Sequence, residues 1–321
     1  MSRLQRLAAV AVASVLCCVA QAQTFPARAI RIVVPFGAGG VADLTARAVA
    51  QKLGESLGQA VVIDNKPGAG GVVAGDAVAK AEPDGHTLLL MSNGTAVSAG
   101  LFKSLPFDTV RDFAPVSTLA SFDIAIVTTA DSRFRTIGDL LAFARANPGR
   151  LNLGSINIGS TQNLVAELFK SASNTDLQIV PFNGTPALIT ALRGGQIDAA
   201  VEILGPVMAQ VDAKALRVLV VTGSRRSSVV PEIPTARESG LPALVAASWN
   251  ALAVPAKTPP AVIARLNKEI VAAVNAPEVK KKLHELHVEA QSSSPAQAAE
   301  LLAGEIRRWG EVITRAKIPT Q

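Results

Sequence analysis

Three short turns carry residue types that can hold an anion without a cationic side chain: Phe36 to Gly40, Ser155 to Thr161 and Phe182 to Thr185. None contains Lys or Arg. Glycine lets the backbone come close to a ligand, and a helix starting just after such a turn presents unpaired N–H groups and roughly half a positive charge. A carboxylate or phosphate is favoured there. The expected donors are Gly39 and Gly40 on one side and Ser160 and Thr161 on the other. Phe36, Gly37, Ala38, Ser155, Gly159, Phe182, Gly184 and Thr185 complete the turns, and Ser92 and Thr95 belong to a further polar loop, Ser92-Asn93-Gly94-Thr95.

Two carboxylates accompany them. Asp43 either caps its helix and steadies the turn by accepting N–H bonds, or touches the ligand. Glu202, near the end of a strand, either faces a cleft or ends in solvent. Gly68 to Gly71 follows Asn65-Lys66-Pro67 and reads as a tight structural turn. Gly37-x-Gly39 lacks a glycine at position 42 and Gly68-x-Gly70 lacks one at position 73, so neither completes a dinucleotide fingerprint, and no Walker-type lysine occurs.

The groups that enzymes use are scarce. The cysteines, Cys17 and Cys18, lie in an apolar leader. The histidines are His86, before a strand, and His284 and His287 in a Lys/Glu-rich helical stretch that reads as solvated surface rather than as a metal site. No Gly-x-Ser-x-Gly, His-Glu-x-x-His or Cys-x-x-Cys motif appears. The expectation is binding without catalysis, cofactor or metal. The rival is a secreted hydrolase working through a carboxylate pair such as Asp43 and Glu202.

The elements that must position these turns alternate as strand, turn and amphipathic helix. Ala29 to Phe36 is a β-branched strand, and Val41, Leu44, Ala48, Leu53 and Leu57 keep helical spacing after it. Strands follow at Val61–Asp64 and Thr87–Met91, and a second series at Ile124–Thr128, Leu151–Ser155, Gln178–Phe182, Ile197–Ile203 and Leu216–Thr222. Helices are expected at Val72–Lys80, Ile137–Ala146, Asn163–Lys170 and from Pro186. This is an α/β chain with largely parallel sheets covered on both faces. Val245–Val254 reads as a strand returning to the first domain. Two crossings, near Ser121 and Ser248, divide the chain into residues 23–122 with 247–321, and 123–246. Two crossing strands fix an axis of closure better than one flexible linker.

The 321 residues begin with Arg3 and Arg6, an apolar run from Leu7 to Ala20, and Ala20-Gln21-Ala22, a signal-peptidase pattern. The run is shorter than the roughly 20 residues of a spanning helix, so residues 1–22 are expected to be removed on export to the periplasm. Leu16 before Cys17, and Cys17 before Cys18, do not suit a lipoprotein signal. The rest of the chain holds no cysteine and rests on its core alone. Without Arg3 and Arg6 the 31 basic residues fall to 29 against 25 acidic ones, a net +4 that is spread along the chain and resembles no nucleic-acid stripe.

Along nearly all of this length the sequence resembles the Bug family, the extracytoplasmic solute receptors of tripartite tricarboxylate transporters. Ordered motifs carry the resemblance: Pro35-Phe36-Gly37-Ala38-Gly39-Gly40-Val41-Ala42-Asp43, Asn65-Lys66-Pro67-Gly68-Ala69-Gly70-Gly71, Pro83-Asp84-Gly85-His86-Thr87-Leu88-Leu89, Asp112-Phe113-Ala114-Pro115-Val116, Val180-Pro181-Phe182-Asn183-Gly184, Gly194-Gly195-Gln196-Ile197-Asp198 and Pro231-Glu232-Ile233-Pro234-Thr235. It implies a type II periplasmic binding-protein fold and a carboxylate-containing ligand held mainly by backbone groups and ordered waters between two domains. It places contacts at Phe36 to Asp43, Ser155, Gly159 to Thr161 and Phe182 to Thr185. The pattern usually has tyrosine where His86 and Phe182 stand, and Asn157 and Asn163 lie in a segment that often differs, so the ligand is not copied from a relative. The reading is a monomer that closes over a small carboxylate and hands it to a membrane permease or presents itself to a sensor kinase.

Overall fold

Short β-branched runs ending at glycine turns form strands, and the spaced apolar positions behind them form the covering helices. The computed structural model describes residues 25–321 apart from Asn157, Gly159, Val229, Ala316, Lys317, Pro319 and Gln321. The expected leader lies outside the described residues.

The first lobe is built on β1 (Ile30–Val34), β2 (Val61–Asn65) and β3 (Thr87–Ser92). Its helices are α1 (Val41–Leu57), α2 (Val72–Ala79) and α3 (Asn93–Leu101). The chain then enters β4 (Phe113–Thr129), followed by α4 (Ile137–Ala146), β5 (Asn152–Ile156), α5 (Thr161–Ser173), β6 (Gln178–Phe182), α6 (Thr185–Arg193), β7 (Ala199–Ile203), α7 (Leu204–Asp212) and β8 (Leu216–Val221). It returns along β9 (Ala247–Pro255) and ends with α8 (Pro260–Asn275), α9 (Pro277–Glu285), β10 (Glu289–Ala290) and α10 (Pro295–Arg315).

The strand order is β2-β1-β3-β9-β4-β7-β5-β6, with β8 and β10 also on β4. Pairing is parallel where strand, helix and strand repeat, at β1 with β2 and β3 and at β5 with β6 and β7. It is antiparallel wherever β4 or β9 takes part. The largely parallel expectation therefore holds for the flanks alone. The chain leaves the first lobe on β4 and comes back on β9, so the two must run in opposite directions.

β4 is the link between lobes. Phe113 to Asp123 pairs with β9, and Ile124 to Val127 pairs with β7. Alternate side chains of β4 enter different cores: Ile124 and Ile126 join one that also contains Val33, Met91, Phe169 and Trp309, whereas Ala125 and Val127 join one on the other face of the second lobe. The first of these cores is shared by both lobes and is sealed by α10 through Leu302, Trp309 and Ile313. A third core, with Ile32, Leu88 and Leu90, lies under α1, α8 and α9.

Four sequence readings change. The loop at Ser92–Thr95 is the start of α3, with Ser92 and Thr95 closing a capping box. The strand expected from Ile124 begins at Phe113. His287 lies beyond the end of α9, in a left-handed conformation with φ of 55°, not on the helix. Helix α7 is an element that the sequence pattern did not announce.

Candidate functional site

The register of the parallel strands brings the turns to two sheet edges. In the first lobe β1 lies beside β3 with Val33 opposite Leu89, so the turn after Val34 stands next to Ser92. In the second, Ile156 lies opposite Phe182 and Gly154 opposite both Val180 and Ala200, so β5, β6 and β7 end side by side. Helices α1, α3, α5 and α6 begin at these edges. Unpaired N–H groups are expected at every such start.

The two edges meet. Asn93, the first residue of α3, is fully buried. Its Nδ2 donates to Oγ1 of Thr161, the first residue of α5, at 3.3 Å, and its Oδ1 accepts from Trp309 Nε1 at 2.7 Å. The same indole N–H also reaches Glu305 Oε2 at 2.8 Å. Next along α5, Gln162 Nε2 donates to Glu202 Oε1 at 2.6 Å, and Thr185 Oγ1, at the start of α6, donates to Glu202 Oε2 at 2.7 Å. One line of hydrogen bonds thus joins α10, α3, α5, β7 and α6.

Glu202 is 1% exposed. Besides Gln162 and Thr185 it accepts the N–H of Ile203 at 2.7 Å. Neither sequence alternative describes it fully: it does not end in solvent, and its oxygens are occupied by the protein itself. Burial pushes its carboxyl above the usual range, against the lowering pull of those three donors.

Asp43 is buried to the same extent and is set differently. Its Oδ2 accepts Gly39 N–H at 2.8 Å and Arg47 Nε at 2.9 Å, and its Oδ1 accepts Asn65 Nδ2 at 2.9 Å. Asn65 Nδ2 also reaches the Phe36 carbonyl at 2.9 Å. Burial raises the Asp43 carboxyl, but the bonds from Arg47, Gly39 and Asn65, with the Arg47 charge, outweigh it and hold the group below the usual carboxylate range. Gly39, with φ of 84°, is in the left-handed region that turns its N–H back to Asp43. Asp43 therefore steadies the turn, and the cap of α1 is the backbone of Gly40.

Of the remaining expected residues, Ser160 caps α5, accepting Asn163 N–H at 3.1 Å and donating to Ile156 O at 2.7 Å. Ser155 Oγ accepts Asn163 Nδ2 at 3.2 Å. Gly184, with φ of 92°, precedes α6. Phe182 is half-buried on the core of the second lobe. Gly37, Ala38 and Phe36 are exposed in the first turn. Gly159 lies outside the described residues. Sequence reasoning missed Asn93, Gln162, Asn65 and Trp309. The capping signature of Ser92 and Thr95 was the one signal that pointed at Asn93.

Among the described residues, no group of three or more His, Cys, Asp or Glu side chains is arranged to hold a metal. No described helix is long and apolar enough to cross a membrane. A depression of about 270 Å³ lined by Asp131, Arg133, Arg193 and Asp198 lies at the opposite edge of the second sheet, away from the turns.

The model of the tripartite tricarboxylate transporter family receptor, TctC, matches residues 45–318. The chain is similar to a UPF0065 protein from the tcbD-tcbE intergenic region of Pseudomonas sp. (strain P51), 38% identical over 92% of this chain and 88% of the relative. It is also similar to protein BugT of Bordetella pertussis, 35% identical over 92% of each. Two solved structures share the fold at 31% identity. Rpa4515 of R. palustris with adipate has a TM-score of 0.83 over 92% of this chain and 99% of that one. MatC of Rhodopseudomonas palustris with bound malate has a TM-score of 0.78 over 90% and 100%.

Proposed function

The chain belongs to the tripartite tricarboxylate transporter family of receptors, and from that premise we propose that it captures a small carboxylate between its two lobes by hinge closure, for uptake. The lobes are residues 23–122 with 247–321, and 123–246. The ligand is drawn from the dicarboxylates, tricarboxylates, amino acids and aromatic acids. The carboxylate meets the first turn, Phe36 to Gly40, from one lobe, and the turns of Ser155 to Thr161 and Phe182 to Thr185 from the other.

One observation carries this reading: the hydrogen-bonded line from Trp309 to Thr185, which gathers the starts of α3, α5 and α6 around turns free of Lys and Arg. Grouped helix starts favour an anion without a fixed cation, so the ligand leaves again when the lobes part. The malate and adipate of the two related structures are carboxylates of this size. Closure selects the bound state because both lobes contact the ligand together only when closed. The protein then works in the periplasm, after loss of residues 1–22, as a monomer that passes its ligand to a membrane permease, with no chemical step.

A thermal-shift screen of residues 23–321 against these acid classes tests the reading. A binding acid at a hundredfold excess over its Kd should raise the melting temperature by roughly 5 °C. Hydrolysis of one acid with no stabilisation by any of them overturns it.

A further inference from the structure

Helix α10 lies close on α3 because glycines stand where the two meet. A Cβ at Gly100 would come within 3.3 Å of Ile313 Cδ1 and 3.5 Å of Gly310 Cα. The close approach brings Trp309, the fully buried neighbour of Gly310, against Asn93 at the start of α3. The indole is fixed there from two further sides. Its N–H also reaches Glu305 Oε2 at 2.8 Å, and the Arg308 guanidinium lies 5.0 Å from the centre of its ring.

The bonds that follow have their direction set by chemistry. An indole N–H only donates, so it fixes Oδ1 of Asn93 toward Trp309 at 2.7 Å. The amide Nδ2 is left on the other side, and it too only donates, to Thr161 Oγ1 at 3.3 Å. The Thr161 hydroxyl must therefore accept from Asn93 and turn its own proton elsewhere. Three hydroxyls stand at the starts of α5 and α6. Ser160 gives its proton to the Ile156 carbonyl and Thr185 gives its proton to Glu202, each at 2.7 Å. The proton of Thr161 meets no acceptor among the described residues. A donor that itself accepts a hydrogen bond is polarised and donates more strongly.

Resting on the capture reading above, we propose that Asn93, fixed by Trp309, is a positioning residue that turns the Thr161 hydroxyl proton to the captured carboxylate. Asn93 and Trp309 belong to one proposed lobe and Thr161 to the other. The hydroxyl is thus set as a donor when the lobes come together. Released from Asn93, it rotates and its proton is shared with other acceptors. The device reads an acceptor oxygen of the ligand and makes no demand on the rest of the acid.

Isothermal titration of residues 23–321 with malate, adipate, citrate, glutamate and benzoate, followed by a double-mutant cycle on the tightest binder, tests this. Thr161→Val keeps the shape without the hydroxyl and should weaken binding about twentyfold, the usual loss of a hydrogen bond to a charged group. Thr161→Ser should restore most of that affinity. Asn93→Ala leaves the Trp309 N–H on Glu305. It should weaken binding about fivefold in the parent protein and less than about twofold in the Thr161→Val protein, because it acts through that hydroxyl. Asn93→Ser takes its place in the cycle if the alanine variant does not fold. A merely structural Asn93 gives losses that multiply to about a hundredfold. That outcome, or parent affinity in Thr161→Val, overturns the proposal and leaves carboxylate capture standing. Binding of none of the five acids overturns the capture reading, and this one with it.

Discussion

The two lobes each bury one carboxylate beneath a turn of the proposed site, and they hold it by opposite means. In the first lobe Asp43 faces the Arg47 guanidinium, and its carboxyl is held low despite burial. In the second, Glu202 faces three neutral donors and no cation, and burial raises it. An exposed arginine can release or re-form its bond at little loss, because water replaces it. A buried charge held by neutral dipoles has no such substitute. In the capture reading proposed above, the first turn would then be the adjustable jaw of the cleft and the paired turns of the second lobe the rigid one.

Removing each carboxylate tests that contrast, and the larger effect belongs to Glu202. Glu202→Ala leaves the buried Gln162 Nε2 and the half-buried Thr185 Oγ1 and Ile203 N–H without their acceptor. Its expected loss in urea unfolding is about 3 kcal/mol, with carboxylate affinity falling as α5 and α6 lose register. The Asp43→Asn variant keeps the shape, and the Gly39 N–H it served lies in an exposed turn. A loss nearer 1 kcal/mol is expected there. If Asp43→Asn proves the more damaging, the assignment of rigid and adjustable jaws is reversed.

The fold was legible where local chemistry decides it. Helix α4 starts at the capping box of Thr136 and Asp139 and is stopped at Asn147 before Pro148 and Gly149, all of which short-range pattern exposes. Strand β6, a short run bounded by turn residues, was equally plain. The first half of β4 was not. Its pattern is broken by Pro115 and by register shifts near Ser117 and Ala120, and its partner β9 begins only at Ala247. Helix α3 was hidden by Asn93-Gly94-Thr95, which reads as a turn until the cap is seen. Glycine spacing located the turns that the proposed site uses, but not what ties them together. Asn93 and Trp309 are 216 residues apart, and nothing local to Val201-Glu202-Ile203 announces that Glu202 is buried rather than solvated.

The next test uses pH, because the two carboxyls move in opposite directions. Asp43 titrates lower in the folded than in the unfolded chain, so its stabilisation is present above the ordinary carboxylate value of about 4 and is lost as pH falls through its lowered folded value. Glu202 titrates higher when folded. Its contribution is present below about 4 and is lost as pH rises from there through its raised folded value. Urea unfolding measured from acid to neutral pH should show Asp43→Asn flattening the acid arm alone, and Glu202→Gln removing the loss on the rising arm. Equal changes on both arms by either variant would mean that the two carboxyls are not held in opposite senses.

The smallest effect sharpens the comparison most, because it isolates the exposed partner. Arg47 lies on the surface, and its bonds to Asp43 and to Asn65 Oδ1 are open to water and salt. Exposed ion pairs weaken with ionic strength, since the Debye length contracts to about 3 Å at 1 M salt. Arg47→Gln should therefore reduce stability in dilute buffer by less than Asp43→Asn does, and the difference from the parent should fade as salt is added. Glu202 has no cation to screen, so the loss caused by Glu202→Gln should be indifferent to salt. Salt titration of the three proteins side by side reads the difference directly. A salt-dependent loss at Glu202 would require an undetected charge partner in the second lobe and would make the two jaws electrostatically alike.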